Sequence, residues 1–218
     1  MNGLELREKL FDCLVNLHLK TKKPIGSKIL KRRYFRNIAE STIRIYLSEM
    51  VSEKLLENVN FSLGRIPTDR GWRVYLNKNL ARDRNLIKKS ELKKIPNSLS
   101  LAEYLSKKFK VYCLFRSRSN WCEVGLENIL DNQEFTQRDI FVEFANLLKD
   151  IKGRYYLLTK KEELIKIYIG SEIPFRRYKN FSIIISENKF GDKIFTITLK
   201  CIDYPKAYNL LRVFSQNG

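Results

Sequence analysis

The spacing of apolar residues changes period along this chain, and that change limits the folds open to it. In the first eighty residues they recur every three to four positions. Leu4, Leu6, Leu10, Phe11, Leu14, Val15 and Leu17 form one such run; Ile43, Leu47, Met50, Val51 and Leu55 form another. Beyond residue 110 the apolar stretches VYCLF, YYLLT, IKIYIG, FSIIISE and KIFTITLK are short, strand-length and rich in β-branched residues. A period near 3.6 followed by strand-sized runs predicts amphipathic helices first and a sheet afterwards. The predicted class is α+β, with an N-terminal helical module and a second domain built on an antiparallel sheet.

Turn and cap residues divide these runs. Residues 4–21 read as the first helix, broken by Pro24 and Gly26 in TKKPIG, with Ser27 placed to cap a second helix, SKILKRRYF. The link RNIAE leads to a third helix over residues 41–54. ENVNFSLGRIPT, with Gly64 and Pro67, reads as a strand and loop. Thr68 caps a fourth helix, DRGWRVYLNKNL, with Trp72, Tyr75 and Leu76 on one face. Residues 81–98 are polar and basic and read as a linker or exposed helix, which sets the domains at 1–80 and 99–218. In the second domain SLSLAEYLSKKFK and residues 137–151 are helical. NKFGD is a hairpin turn, and Asp203-Tyr204-Pro205 opens a closing helix.

Charge bears on partners. The 218 residues include 42 Lys and Arg against 24 Asp and Glu, a net charge of +18. Residues 1–94 hold 22 basic and 10 acidic side chains; residues 95–218 hold 20 and 14. The larger surplus therefore lies where basic residues interleave with helical apolar spacing, as in a folded module that meets a polyanion.

Three short helices followed by a basic hairpin containing Gly and Pro is the outline of a winged helix-turn-helix, which sets its third helix in the DNA major groove. The exposed early turns of that helix show Ser41, Thr42, Arg44, Ile45, Tyr46 and Ser48, whose hydroxyls, Arg and Tyr suit phosphates and base edges. Ser27, Lys28, Lys31, Arg32 and Arg33 lie on the helix that crosses the phosphate backbone in such folds. The same outline also occurs in protein-interaction modules.

The strings KPIGSKIL, STIRIYLSEM and GRIPTDRGWRVYL, in this order and spacing, resemble the HrcA family of heat-inducible transcription repressors. GLENILDNQEF, IYIGSEIPF and IDYPKAYNLL resemble that family's later segments. The resemblance implies a winged helix-turn-helix joined to a GAF-like domain, in a shortened, divergent member. Members usually carry a dimerisation insert between the positions of Phe115 and Trp121, where this chain has only RSRSN. It further implies repression of heat-shock and chaperone genes through an inverted-repeat operator, a homodimer, double-stranded DNA as partner, coupling to a GroEL-type chaperonin and a cytoplasmic location. Arg65, within GRIPT, becomes a wing contact. Ala39 stands where the family has a capping Ser, a role Ser41 could take over. Two alternatives remain open: a winged-helix protein associated with RNA or the ribosome, and a small-molecule-sensing regulator.

Other chemistry has little to build on. No apolar run reaches the roughly 18 residues a spanning helix needs, and the N-terminus does not read as a secretory signal. Cys13, Cys113, Cys122 and Cys201 form no C-x-x-C pair and read as reduced core thiols. His18 is the sole histidine, so His-based triads and the common zinc constellations lack a second member. The expectation is no cofactor, no metal and no enzyme.

Overall fold

A computed structural model describes residues 2–60, 63–80, 98–118, 120–159, 163–175 and 178–217. The expected linker, residues 81–98, lies outside these but for its last residue. The chain divides into two compact units, Met1–Asn79 and Leu80–Gly218.

The first unit is built from α1 (Gly3–Thr21), α2 (Ser27–Tyr34), α3 (Glu40–Ser52), β1 (Leu56–Asn60), β2 (Gly64–Pro67) and α4 (Asp69–Leu80). A capping box starts α1: Asn2 Oδ1 accepts the Glu5 N–H at 2.8 Å, and the Glu5 carboxylate accepts the Asn2 N–H at 3.2 Å. Lys22 ends it in the left-handed region, φ 57°. Leu10, Leu14 and Val15 of α1, Leu30 of α2, Ile43, Leu47 and Met50 of α3 and Leu76 of α4 are fully buried. Each such side chain contributes about 1.5–3 kcal/mol of hydrophobic stabilisation. Val51, expected in the α3 stripe, is only half-buried. The stripe drifts with the 3.6-residue period and leaves it at the edge of the core.

Two local expectations are corrected. Ser27 is the first helical residue of α2 rather than its cap: Gly26 holds that place, and no side chain caps the helix. Nor does Ser41 or any other side chain cap α3 at Ala39. Thr68 does cap α4, its hydroxyl accepting the Gly71 N–H at 3.0 Å.

The β1–β2 hairpin is antiparallel, with Glu57 opposite Ile66 and Asn58 opposite Arg65. It is tied to the α1–α2 link by paired backbone bonds between Ile25 and Arg65, at 2.9 and 3.0 Å. Gly64 allows that approach. Its φ is +109°, and a Cβ there would lie 2.6 Å from the Ile25 carbonyl carbon.

The second unit contains α5 (Ser98–Phe109), β3 (Tyr112–Ser117), β4 (Asn120–Val124), α6 (Leu126–Leu130), α7 (Arg138–Arg154), β5 (Ile165–Ile169), β6 (Phe181–Glu187), β7 (Lys193–Leu199) and α8 (Tyr204–Asn217). Its five-stranded sheet has the order β4-β3-β7-β6-β5, and every neighbouring pair is antiparallel. One face presents Tyr112, Leu114, Phe181, Ile183, Ile185, Phe195 and Ile197 to Ile140, Phe144, Leu147 and Ile151 of α7. The other lies under α5 and α8. Burial on both faces explains why FSIIISE is apolar at successive positions. Its serines stay satisfied: Ser182 Oγ lies 2.6 Å from the Tyr204 hydroxyl, and Ser186 Oγ donates to the Leu211 carbonyl at 3.0 Å. This is the α+β, antiparallel architecture that the sequence predicts.

Three features depart from the sequence reading. YYLLT, expected as a strand, is a 3₁₀ turn over Tyr155–Leu157 directly after α7, with Tyr155 packed on Trp121 and Phe195. Aromatic packing beneath the sheet fixes it there, and IKIYI takes the edge position. WCEV, not expected as a strand, forms β4, because Ser117 pairs directly with Asn120 and closes a hairpin. That hairpin occupies the span where the resemblance places an insert. Cys122, finally, is exposed on β4 rather than buried in a core.

Candidate nucleic-acid interface

The α1–α2 link, α3 and β2 position the candidate residues. On α3, every third or fourth side chain is committed to the core, which leaves Ser41, Arg44, Ile45 and Ser48 exposed and Thr42 and Tyr46 half-buried. The paired Ile25–Arg65 backbone places the Arg65 side chain beside α3, where its Nη2 lies 3.4 Å from Ser48 Oγ. Ser48 donates its own hydroxyl proton to the Arg44 carbonyl at 2.9 Å, so it is free to accept from Arg65.

Arg65 has no carboxylate partner among the described residues, and its buried Nε has no hydrogen-bond partner there. Its guanidinium is held below its usual pKa, first by burial and then by the neighbouring charge of Arg44. It stays charged in the physiological range. Two guanidinium groups thus share one patch, and the repulsion between them is one that a bound anion would further offset. Arg44 itself, 64% exposed, pairs with Glu40 at 3.1 Å.

Glu40 joins a second group of residues to this patch. Its Oε1 accepts from Ser27 Oγ and from Arg44 Nη2, each at 3.1 Å. The Ser27 bond foremost, then the Arg44 bond, holds its carboxyl below the ordinary carboxylate range, with Lys28 adding a smaller effect. The structure therefore brings Ser27, Lys28, Arg44, Ser48 and Arg65 around one exposed face. Ser41 and Thr42 flank it on the first turn of α3. Lys31, Arg32 and Arg33 stand in the last turn of α2, where cations also complement the helix dipole. Tyr46 turns away: its hydroxyl lies so close to the start of α1 that a Cβ on Gly3 would come within 3.0 Å of it.

One residue of the face is not apparent from the sequence alone. Glu40 reads there as an ordinary first-turn acid, and its bond to Ser27 spans thirteen positions. Ile45, 59% exposed, sits between Arg44 and Ser48 on the outer side of the helix. Its place outside the apolar stripe of the helix puts it on this face in the sequence as well. His18 has a structural role. Its Nδ1 donates to the Lys23 carbonyl at 2.8 Å, and its ring lies 6.0 Å from that of Trp72. Among the described residues no group of three potential metal ligands occurs, and no helix is long and apolar enough to cross a membrane.

The fold and this face define a two-unit chain in which a basic helix-and-hairpin module accompanies an α+β unit. The HrcA protein C terminal domain matches residues 72–207, more than half of the chain, which therefore belongs to the HrcA family. It is similar to the heat-inducible transcription repressor HrcA of Syntrophobacter fumaroxidans, 28% identical over 120 residues, covering 52% of this chain and 34% of that protein. The same repressor of Chlamydia felis is 48% identical over 60 residues, covering 28% of this chain and 16% of its own length. That of Desulfitobacterium hafniense is 30% identical over 109 residues, covering 47% and 32%. The matched part thus spans about a third or less of these relatives. A solved structure titled only as a hypothetical protein at 2.2 Å resolution has the same fold, with a TM-score of 0.78 at 15% identity. It covers 99% of this chain and 96% of its own.

Proposed function

We propose that the first unit is a winged helix-turn-helix that binds double-stranded DNA, and that the chain acts as a transcriptional repressor. α3 enters the major groove, and β1–β2 is the wing. The observation that carries this reading is the convergence of Arg44, Ser48 and Arg65, two cations and a hydroxyl, with Arg65 lacking any acidic partner among the described residues. Such a patch suits a phosphate flanked by a base edge. Ser41, Thr42 and Arg44 read bases, and Ile45 offers its aliphatic surface to a thymine methyl. Ser27, Lys28, Lys31, Arg32 and Arg33 follow the backbone through side chains or, for the buried Ser27, through its helix-terminal N–H. Tyr46 supports the helix from behind.

Family membership supports the finer reading: an inverted-repeat operator near heat-shock and chaperone genes, a cytoplasmic location, and coupling to a GroEL-type chaperonin. A two-fold operator requires two copies of the module, so the active form is a homodimer. The second unit is a reduced GAF-like domain.

Titration of labelled duplex at several salt concentrations tests the reading. Log affinity falls linearly with log salt, by about 0.9 per phosphate neutralised. Arg65→Ala lowers that slope by about one and weakens all sequences alike, whereas Arg44→Ala costs about 1–3 kcal/mol of preference. Salt-insensitive binding, or none, refutes it.

A further inference from the structure

Glu40 places a carboxylate within a basic interface, at a first-turn position where it also favours the start of α3. Glu40 opens α3 on a face otherwise occupied by Lys28, Arg44 and Arg65, and its side chain is 33% exposed there. A carboxylate on a surface that meets phosphates weakens their attraction. Glu40 is nevertheless held in place from two sides. The buried Ser27 hydroxyl donates to it from α2, and burial makes that bond costly to lose. Arg44 donates to it from one turn along α3, in the favourable order of acid before base at i, i+4.

We propose that Glu40 is a positioning residue for sequence discrimination. It fixes the Arg44 guanidinium toward base edges, and its charge suppresses sequence-blind binding to phosphates. The inference rests on the DNA reading above. Two physical effects act together. A guanidinium held before binding loses less side-chain freedom when it meets a base, so the correct site gains. A fixed negative charge penalises wrong sites, where phosphate attraction is the whole of the binding, more than the right one.

The test uses the full chain with two probes: a duplex selected by this protein from a randomised pool, and a scrambled duplex of the same length. Each is titrated at several salt concentrations with the parent, Glu40→Gln, Glu40→Ala and Arg44→Ala. In Glu40→Ala the scrambled duplex binds about threefold or more tighter, while the selected duplex gains nothing, so the ratio between them falls by at least about threefold. Glu40→Gln keeps an oxygen for Ser27 and Arg44 and loses less of the ratio. The proposal is overturned if Glu40→Ala weakens both duplexes equally, as a purely structural role would. It is also overturned if the ratio holds in Glu40→Ala but falls in Arg44→Ala, an outcome that leaves the DNA reading intact. If the parent itself shows no sequence preference, the DNA reading fails and this inference fails with it.

Discussion

Gly71 lies in the first turn of α4, close against Leu55 in the link from α3 to β1. A Cβ built there would press into the Leu55 carbonyl oxygen, with the Leu55 carbonyl carbon at 3.1 Å and Pro67 Cβ at 3.4 Å. That oxygen cannot withdraw freely, because it accepts the Thr68 N–H at 3.1 Å and the Thr68 hydroxyl at 3.3 Å. In Gly71→Ala the crowding costs about 1–3 kcal/mol. Loosening two hydrogen bonds costs about 1 kcal/mol each. Better helix propensity returns about 1 kcal/mol. The expected net destabilisation is roughly 2–4 kcal/mol.

Gly153 provides the control. It also lies in a helix, near the end of α7, but nothing stands within 4 Å of its added Cβ. Gly153→Ala should therefore stabilise, by up to about 1 kcal/mol. The assay is urea unfolding of the full chain in a Trp121→Phe background, so that Trp72, 2% exposed beside Gly71, alone reports on the first unit. The second unit is followed by circular dichroism. Stability of Gly71→Ala within about 0.5 kcal/mol of the parent would refute the close approach, since that is the range of an uncrowded surface change.

Three further outcomes follow from the same structure. Replacing thymine by deoxyuridine, one position at a time, in a selected duplex should weaken the parent severalfold at one position and leave Ile45→Ala indifferent; equal losses in both proteins would remove Ile45 from base reading. Glu123 accepts hydrogen bonds from Lys152 and Tyr112, and the Lys152 bond foremost holds its carboxyl below the ordinary range. Its contribution is therefore present above the unfolded carboxylate value, about pH 4, and is lost as pH falls through the lower folded value. The stability gap between the parent and Glu123→Gln should be widest near neutrality and close in acid; a gap that widened in acid would contradict this. Burial pushes the Cys113 thiol up to about 12, while Cys122 is exposed on β4. Thiol labelling at pH 8 with mass analysis should modify Cys122 in the folded protein and Cys113 only after unfolding.

Local apolar pattern is enough to place most of the elements. Apolar spacing locates α1 and α3 within a residue or two, because each helix buries one face and so repeats its pattern locally. FSIIISE and KIFTITLK are legible for the same reason, being covered on both faces over a single hairpin. STIR and GRIPT mark the face that carries Arg44 and Arg65. How side chains from separate elements meet is a matter of tertiary packing. It turns the Tyr46 hydroxyl toward Gly3, sends the Ser27 hydroxyl to Glu40, and sets a half-buried Arg65 against Ser48. It also makes YYLLT a turn under the sheet and WCEV a strand beside it. Periodicity records how much of each residue is buried along its own element. It carries nothing about the partner that buries it, and the character of the candidate site is set by those partners.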